Sequence, residues 1–143
     1  MSTYLFPDVN VWLALAHQIH PHHKAATAGE RSLPATSVLC FCRCTQLGLL
    51  RLFTNTGAMR QDVLTQAQAW DALDSFLNIA GARMLDEPHG IDAVFRRFTD
   101  RKEASTKQWA DGYLASFAET AVIRLVTFDQ ALAGVVNGSI LLR

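Results

Sequence analysis

The sequence predicts an α/β fold in which helices cover a central parallel sheet of four to five strands. Three observations predict it. Short apolar runs alternate with longer stretches of helical periodicity along the whole chain, which is how strand–helix units read. Two apolar runs, YLF near the start and RLVTF near the end, each lead into an aspartate, and open parallel sheets bind ligands beyond the carboxyl ends of their strands. The 143 residues are 50% hydrophobic and 18% charged, the makeup of a compact domain able to bury a core.

The first strand is expected over 4–6, with a helix over 9–16. HQIHPHHK then reads as a loop around Pro21, with a second helix over 24–30. A short second strand is expected over 33–37. Residues 39–53 have the length and apolar stripe of a helix, closed by the turn residues Thr54, Asn55, Thr56 and Gly57. Along 65–80, Ala69, Leu73, Phe76, Leu77 and Ala80 share one helical face, and Gly81 stands where a C-terminal cap belongs. Residues 83–85 are the expected third strand and 88–98 a helix. The charged connection 101–105 ends at Ser105, the expected N-cap of the next helix. In that helix Ala110, Leu114, Phe117 and Ala121 are spaced by four, three and four, a stripe that faces a core. The strand 124–128 runs to Asp129, and 139–142 is the last expected strand. No internal repeat, low-complexity tract or long linker breaks the series, so residues 1–143 read as a single domain.

Composition removes several function classes. Lys plus Arg and Asp plus Glu both number 13, so no global basic field announces a nucleic-acid partner, and any such binding needs a local patch. MSTYLFPDVN lacks the basic start and long apolar core of a secretion signal. No apolar run approaches the ~20 residues needed to span a bilayer, so no membrane association is expected and the expected location is cytoplasmic. Cys40, Cys42 and Cys44 form a clustered, odd set, a poor disulfide framework without a second pair for zinc. They read as buried thiols, with Cys40 and Cys44 on one helical face and Cys42 pointing away.

Three aspartates carry the candidate chemistry. Asp8 and Asp129 stand at the carboxyl ends of two expected strands, and Asp111 lies one turn into the helix preceding the second strand. If those strands are neighbours, the three carboxylates crowd together, and a divalent cation relieves the repulsion. Hard oxygen donors suit magnesium, with manganese as the alternative. Such an ion activates water and stabilises charge on a phosphoryl oxygen. The competing reading is that Asp8 and Asp129 cap the helices that follow them and Asp111 faces solvent.

The words of the sequence then add a family. PDVNVWLALAH resembles the opening of PIN-domain ribonucleases, specifically the VapC-type toxins of toxin–antitoxin pairs. WADGYLASFAE followed by LVTFDQAL is similar to the second half of that pattern, and FCRCTQLGLLRLFTN to the middle of one VapC subgroup. The resemblance covers nearly the whole chain. It implies a three-layer α/β/α fold, a magnesium-dependent acidic pocket, cleavage of single-stranded RNA, growth arrest and inhibition by a cognate antitoxin. Carried over by position, it makes Asp8, Asp111 and Asp129 the metal-site acids, Thr127 the hydroxyl that helps hold them, and Asn10 a polar companion. The family's middle-helix glutamate corresponds to Gln46, and no Asp or Glu occurs anywhere over 31–60. The expected activity is hydrolysis of RNA phosphodiester bonds by metal-activated water, with Gln46 and Asn10 as hydrogen-bonding partners. The rivals are a catalytically weak or inactive PIN domain that binds RNA or antitoxin, and a metal-dependent phosphohydrolase. No glycine-rich phosphate loop supports nucleotide hydrolysis.

Other features have more than one reading each. His17, His20, His22 and His23 are either a transition-metal cluster or a solvated loop. RRFTDRKEASTK is either a phosphate grip or a solvated helix end. Arg43 and Arg51 either counter the acids, contact RNA or snorkel. Trp12, Trp70 and Trp109 either stack bases or pack in the core or at a subunit interface, and a homodimer is the expected assembly.

Overall fold

The computed structural model describes residues 2–143. In chain order the elements are β1 (Thr3–Pro7), α1 (Val9–Ala16), α2 (His23–Arg31), β2 (Ser37–Phe41), α3 (Arg43–Phe53) and α4 (Thr56–Met59). A 3-10 turn (Arg60–Asp62) leads to α5 (Gln66–Asn78), β3 (Arg83–Met84), α6 (Ile91–Thr99) and α7 (Lys107–Ala121). β4 (Arg124–Thr127), α8 (Gln130–Ala133) and β5 (Ile140–Leu141) complete the chain. The five strands are all parallel, in the order β3-β2-β1-β4-β5.

Alternation along each strand divides the core into two faces. Phe6 and Leu125 point to one side, where they pack with Leu114 and Phe117 of α7 and Leu132 of α8. Phe6 stacks on Phe117 at 4.9 Å between ring centroids. Leu5 and Val126 point to the other side with Val11 of α1. Phe41 joins Trp12, Leu49 and Leu73 there, beneath α1, α3 and α5. Trp12 lies flat on Phe41, with centroids 3.9 Å apart and planes 11° apart. Each such fully buried large side chain contributes roughly 1.5–3 kcal/mol. The result is the three-layer α/β/α arrangement, with the sheet sandwiched.

Several expected boundaries move. The second strand is Ser37–Phe41 rather than 33–37. Pro34, Ala35 and Thr36 are exposed, whereas the continuous apolar run from Val38 onward fills the sheet. Periodicity alone does not separate such a run from a buried helix. The helix expected from residue 39 therefore starts only at Arg43, because Cys42 is extended (φ −108°, ψ 174°) and its N–H donates to Thr45 Oγ1 at 3.0 Å. Cys40 thus sits on a strand and Cys44 on a helix, so the shared helical face does not exist. Burial raises all three thiol pKa values, that of Cys40 to about 11.

α7 starts one residue later than a Ser105 cap implies. Thr106 is already helical (φ −62°, ψ −40°) and makes no side-chain cap. Ala110 is exposed, and the buried face of α7 is the run Leu114–Ala118 instead, because the helix is covered by both the sheet and α6. α6 begins at Ile91 rather than residue 88, after Gly90 at φ +83°. Thr54 to Gly57 do turn the chain, but Thr56 and Gly57 open the short α4. Gly81, at φ +76°, follows the end of α5.

Candidate active site

The strand order reverses direction between β1 and β4, so the crevice between their carboxyl ends is the open position of this sheet. β1 ends at Pro7, which has no N–H to give. The next residue, Asp8, resumes the ladder by donating its N–H to the Val126 carbonyl at 3.0 Å. That bond fixes the Asp8 backbone against β4. Asp8 then caps α1: its Oδ1 accepts from the Val11 N–H at 3.1 Å. Asp129 does the same at the start of α8, its Oδ1 accepting from the Leu132 N–H at 3.1 Å. The capping reading of both acids is therefore correct as far as it goes. Each cap uses one carboxylate oxygen and leaves the other, Oδ2, for a further partner: Thr127 for Asp8 and Lys107 for Asp129.

Thr127 joins the two. Its side chain is fully buried at the end of β4. The hydroxyl donates to Asp8 Oδ2 and accepts from the Asp129 N–H at 3.0 Å. One hydroxyl thus orients both strand-end aspartates.

Asp111 comes from α7. Lys107, one helical turn earlier, brings its Nζ to 3.6 Å from Asp111 Oδ2 and to 2.8 Å from Asp129 Oδ2. Asp111, Asp129 and Lys107 line a cavity of about 180 Å³ with Gly112 and Leu132. Asp8 does not line it. It lies 8% exposed behind the pair. Arg101 and Gln108 line both this cavity and a larger one of about 650 Å³ that holds Phe95 and Trp109.

The electrostatics follow from that placement. Burial raises the Asp8 pKa; the Thr127 hydroxyl and the Val11 and Asn10 amides oppose it, and the Asp111 charge adds to it. Asp111 is raised by burial and by Asp129, with Lys107 opposing. Asp129 is lowered, first by the Lys107 hydrogen bond and then by the Leu132 amide. Asp111 is therefore the acid that feels both others. Among the described residues no three His, Cys, Asp or Glu side chains are grouped closely enough to hold an ion as they stand. The reason is visible: the Lys107 ammonium already occupies the place between Asp111 and Asp129, and Asp8 is turned toward Thr127. As donors the set still fits a hard dication. It is three carboxylates, two of them with raised pKa values, and two of the three, Asp111 and Asp129, already clasp a cation supplied by the chain itself.

Gln46 is 7% exposed on α3, and its Oε1 accepts from Arg43 Nη1. Asn10 is exposed; only its backbone reaches Asp8, and its side chain borders a separate depression beside Arg51. The structure thus links Asp8, Thr127 and Asp129 by hydrogen bonds and Asp129 to Asp111 through Lys107, and neither Asn10 nor Gln46 lines the cavity of Asp111 and Asp129. Sequence reasoning offered Lys107 and Arg101 only as members of the RRFTDRKEASTK stretch, as a phosphate grip or a solvated helix end, and not as individual site residues. The signal for Lys107 was present as its i,i+4 spacing from Asp111.

The histidines stay near one another, with the His22 N–H donating to His20 Nδ1 at 3.0 Å, but among the described residues they are not grouped as a metal site. His17 meets Asp62 at 3.0 Å, His23 donates from Nδ1 to the Ala14 carbonyl at 2.6 Å, and His22 stacks on Phe128. In the basic stretch Arg97 pairs with Glu119. Trp12 is core, whereas Trp70 and Trp109 are 49% and 60% exposed, so the core reading of those two is overturned.

No protein-family model matches the chain. Ribonuclease VapC41 of Mycobacterium tuberculosis is 44% identical over 135 residues, covering 89% of this chain and 90% of that protein, in each of two strains. Among solved structures, M. tuberculosis VapC20, described as a sarcin–ricin loop cleaving toxin, aligns with a TM-score of 0.66 at 17% identity, covering 91% of this chain and 93% of that one. VapBC2 of Rickettsia felis, bound to a promoter DNA fragment, aligns with a TM-score of 0.68 at 12% identity, covering 97% of each chain.

Proposed function

The chain belongs to the VapC family of PIN-domain ribonucleases, the endoribonuclease toxins of toxin–antitoxin pairs, and from that premise we propose that its RNA cleavage is centred on Asp8, Asp111 and Asp129 and requires magnesium. The observation that carries this assignment is the single buried hydroxyl of Thr127, which serves the two strand-end acids at once. A caps-only role needs no such link, because each cap is complete without it.

Asp8 and Asp111 would hold magnesium or manganese, with Asp129 completing the set. The chemistry such an ion supplies is activation of water and neutralisation of charge on the phosphoryl oxygens. The chain's own residues do the rest. Thr127 and the Val11 amide lock the Asp8 carboxylate in one orientation. Asp129, whose Oδ1 stays fixed by the Leu132 N–H, would orient the attacking water with Oδ2, the oxygen that Lys107 holds in the metal-free chain. Arg101, on the wall shared by the two cavities, is placed to meet a phosphate of an RNA strand running between them. Gln46 keeps an oxygen acceptor where the family has a carboxylate, so this site works with one charge fewer.

The partners follow from the same reading. An antitoxin chain is the cognate inhibitor, a reading that the VapBC2 assembly among the structural neighbours supports. The exposed Trp70 and Trp109 offer surface for it or for a second copy in a homodimer. No described helix is long and apolar enough to cross a membrane, and the cytoplasm is the place of action that goes with an RNA substrate. A second reading, a binding module that cuts nothing, is favoured by one observation only: the amide of Gln46 in place of an acid.

Purified protein incubated with RNA and magnesium separates these readings. Cleavage is expected, abolished by EDTA and reduced at least ~100-fold by Asp8→Asn. Cleavage that survives both treatments contradicts the metal-centred mechanism. Absence of cleavage, with RNA still bound, favours the binding module.

A further inference from the structure

We propose that Lys107 is a tethered competitor for the metal: its ammonium holds the place between Asp111 and Asp129, and it must swing out before a dication can bind there. The inference rests on the metal-dependent reading above and adds a residue to it that position in the family pattern does not supply.

The geometry is specific. Lys107 Nζ stands 2.8 Å from Asp129 Oδ2, the oxygen that the α8 cap leaves unused. The same nitrogen is 3.6 Å from Asp111 Oδ2. Lys107 is the first residue of α7, while Asp129 precedes α8, so one cation ties two elements together across the crevice. It thereby holds two acids close that would otherwise repel. Departure is easy. The Lys107 side chain is 67% exposed, and an ammonium is strongly hydrated on a flexible stem. An exposed ion pair of this kind is weak enough for a dication to displace. The residue therefore does two opposed things: it pre-assembles the acids, and it raises the ion concentration at which the site fills.

The test is a Mn2+ titration of the wild-type protein, Lys107→Met and Lys107→Arg, following the free-ion signal by electron paramagnetic resonance at fixed ionic strength and neutral pH. Lys107→Met keeps the stem and removes the charge, and should bind Mn2+ about three- to tenfold more tightly. Lys107→Arg keeps the charge and should stay near the wild type. A merely structural role for Lys107 gives the opposite sign, since loosening the acids weakens ion binding. Equal affinity in all three proteins, or weaker binding by Lys107→Met, overturns the proposal while leaving the metal reading intact. An arginine variant as tight as the methionine variant overturns it as well. If none of the three binds Mn2+, the proposal and the metal reading fall together.

Discussion

Thr127 and Asp8 hold the account together at the scale of single residues. The hydroxyl of Thr127 is buried and makes two contacts, so deleting it leaves the Asp129 N–H without its acceptor and Asp8 Oδ2 without its donor. Thr127→Val should lose about 1–3 kcal/mol of stability in urea denaturation, while Thr127→Ser should stay close to the wild type. The same change has a pH signature. Asp8 and Asp111 have raised pKa values, so the folded chain holds their protons more tightly than the unfolded chain does. Their contribution to stability is in place below the ordinary carboxylate value of 3.8 and is lost as the pH climbs through the raised values. Asp129, with its pKa lowered, contributes above 3.8 and loses that contribution as the pH falls through its folded value. Ion binding needs the ionised forms, so the acid limb of metal-dependent cleavage should lie above the ordinary carboxylate range. Thr127→Val removes a contact that favours ionised Asp8, so this limb should move to higher pH in a pH–rate profile. A limb that moves down, or does not move, contradicts the coupling of Thr127 to Asp8.

Between the residues and the molecule stands the α6–α7 pair. A Cβ added at Gly112 would come 2.3 Å from Thr99 Cγ2, so α6 sits directly on the helix that carries Asp111. Gly112→Ala must push α6 away or strain the stiff Thr99 side chain. We expect a loss of about 1–3 kcal/mol in urea denaturation, with weaker ion binding because Asp111 is the adjacent residue. Retained stability would mean that α6 packs more loosely than this contact implies. At this scale the sequence was legible where polar and apolar positions differ clearly. The caps Asp8 and Asp129 could be read directly, as could the α5 face through Ala69, Leu73, Phe76 and Leu77, but Ala80 lies exposed beyond the helix end at Asn78. It was ambiguous where everything is apolar. The run from Val38 to Cys42 is apolar throughout and half-buried or buried at every position, so it carries no alternation to reveal a strand. α7 misled in a related way: covered on two sides, it buries five consecutive residues rather than a stripe.

For the whole molecule, the alternation of apolar runs and helical stretches was enough to specify the parallel sheet. Its strand order was not legible, because no residue states which strands become neighbours. That order sets β1 beside β4 and so brings Asp8 and Asp129 to one crevice. The candidate site was partly legible for the same reason. Its acids stand out at strand ends, whereas Lys107 belongs to it only because α7 crosses that crevice. The central claim is that Asp8, Asp111 and Asp129 share one dication at the junction of β1 and β4. Anomalous diffraction from a Mn2+-soaked crystal tests it most directly. The account predicts a manganese peak within about 2.3 Å of carboxylate oxygens of Asp8 and Asp111, with Lys107 displaced from Asp129. Manganese bound elsewhere, or no peak at saturating ion with Lys107 still between its two acids, would contradict it.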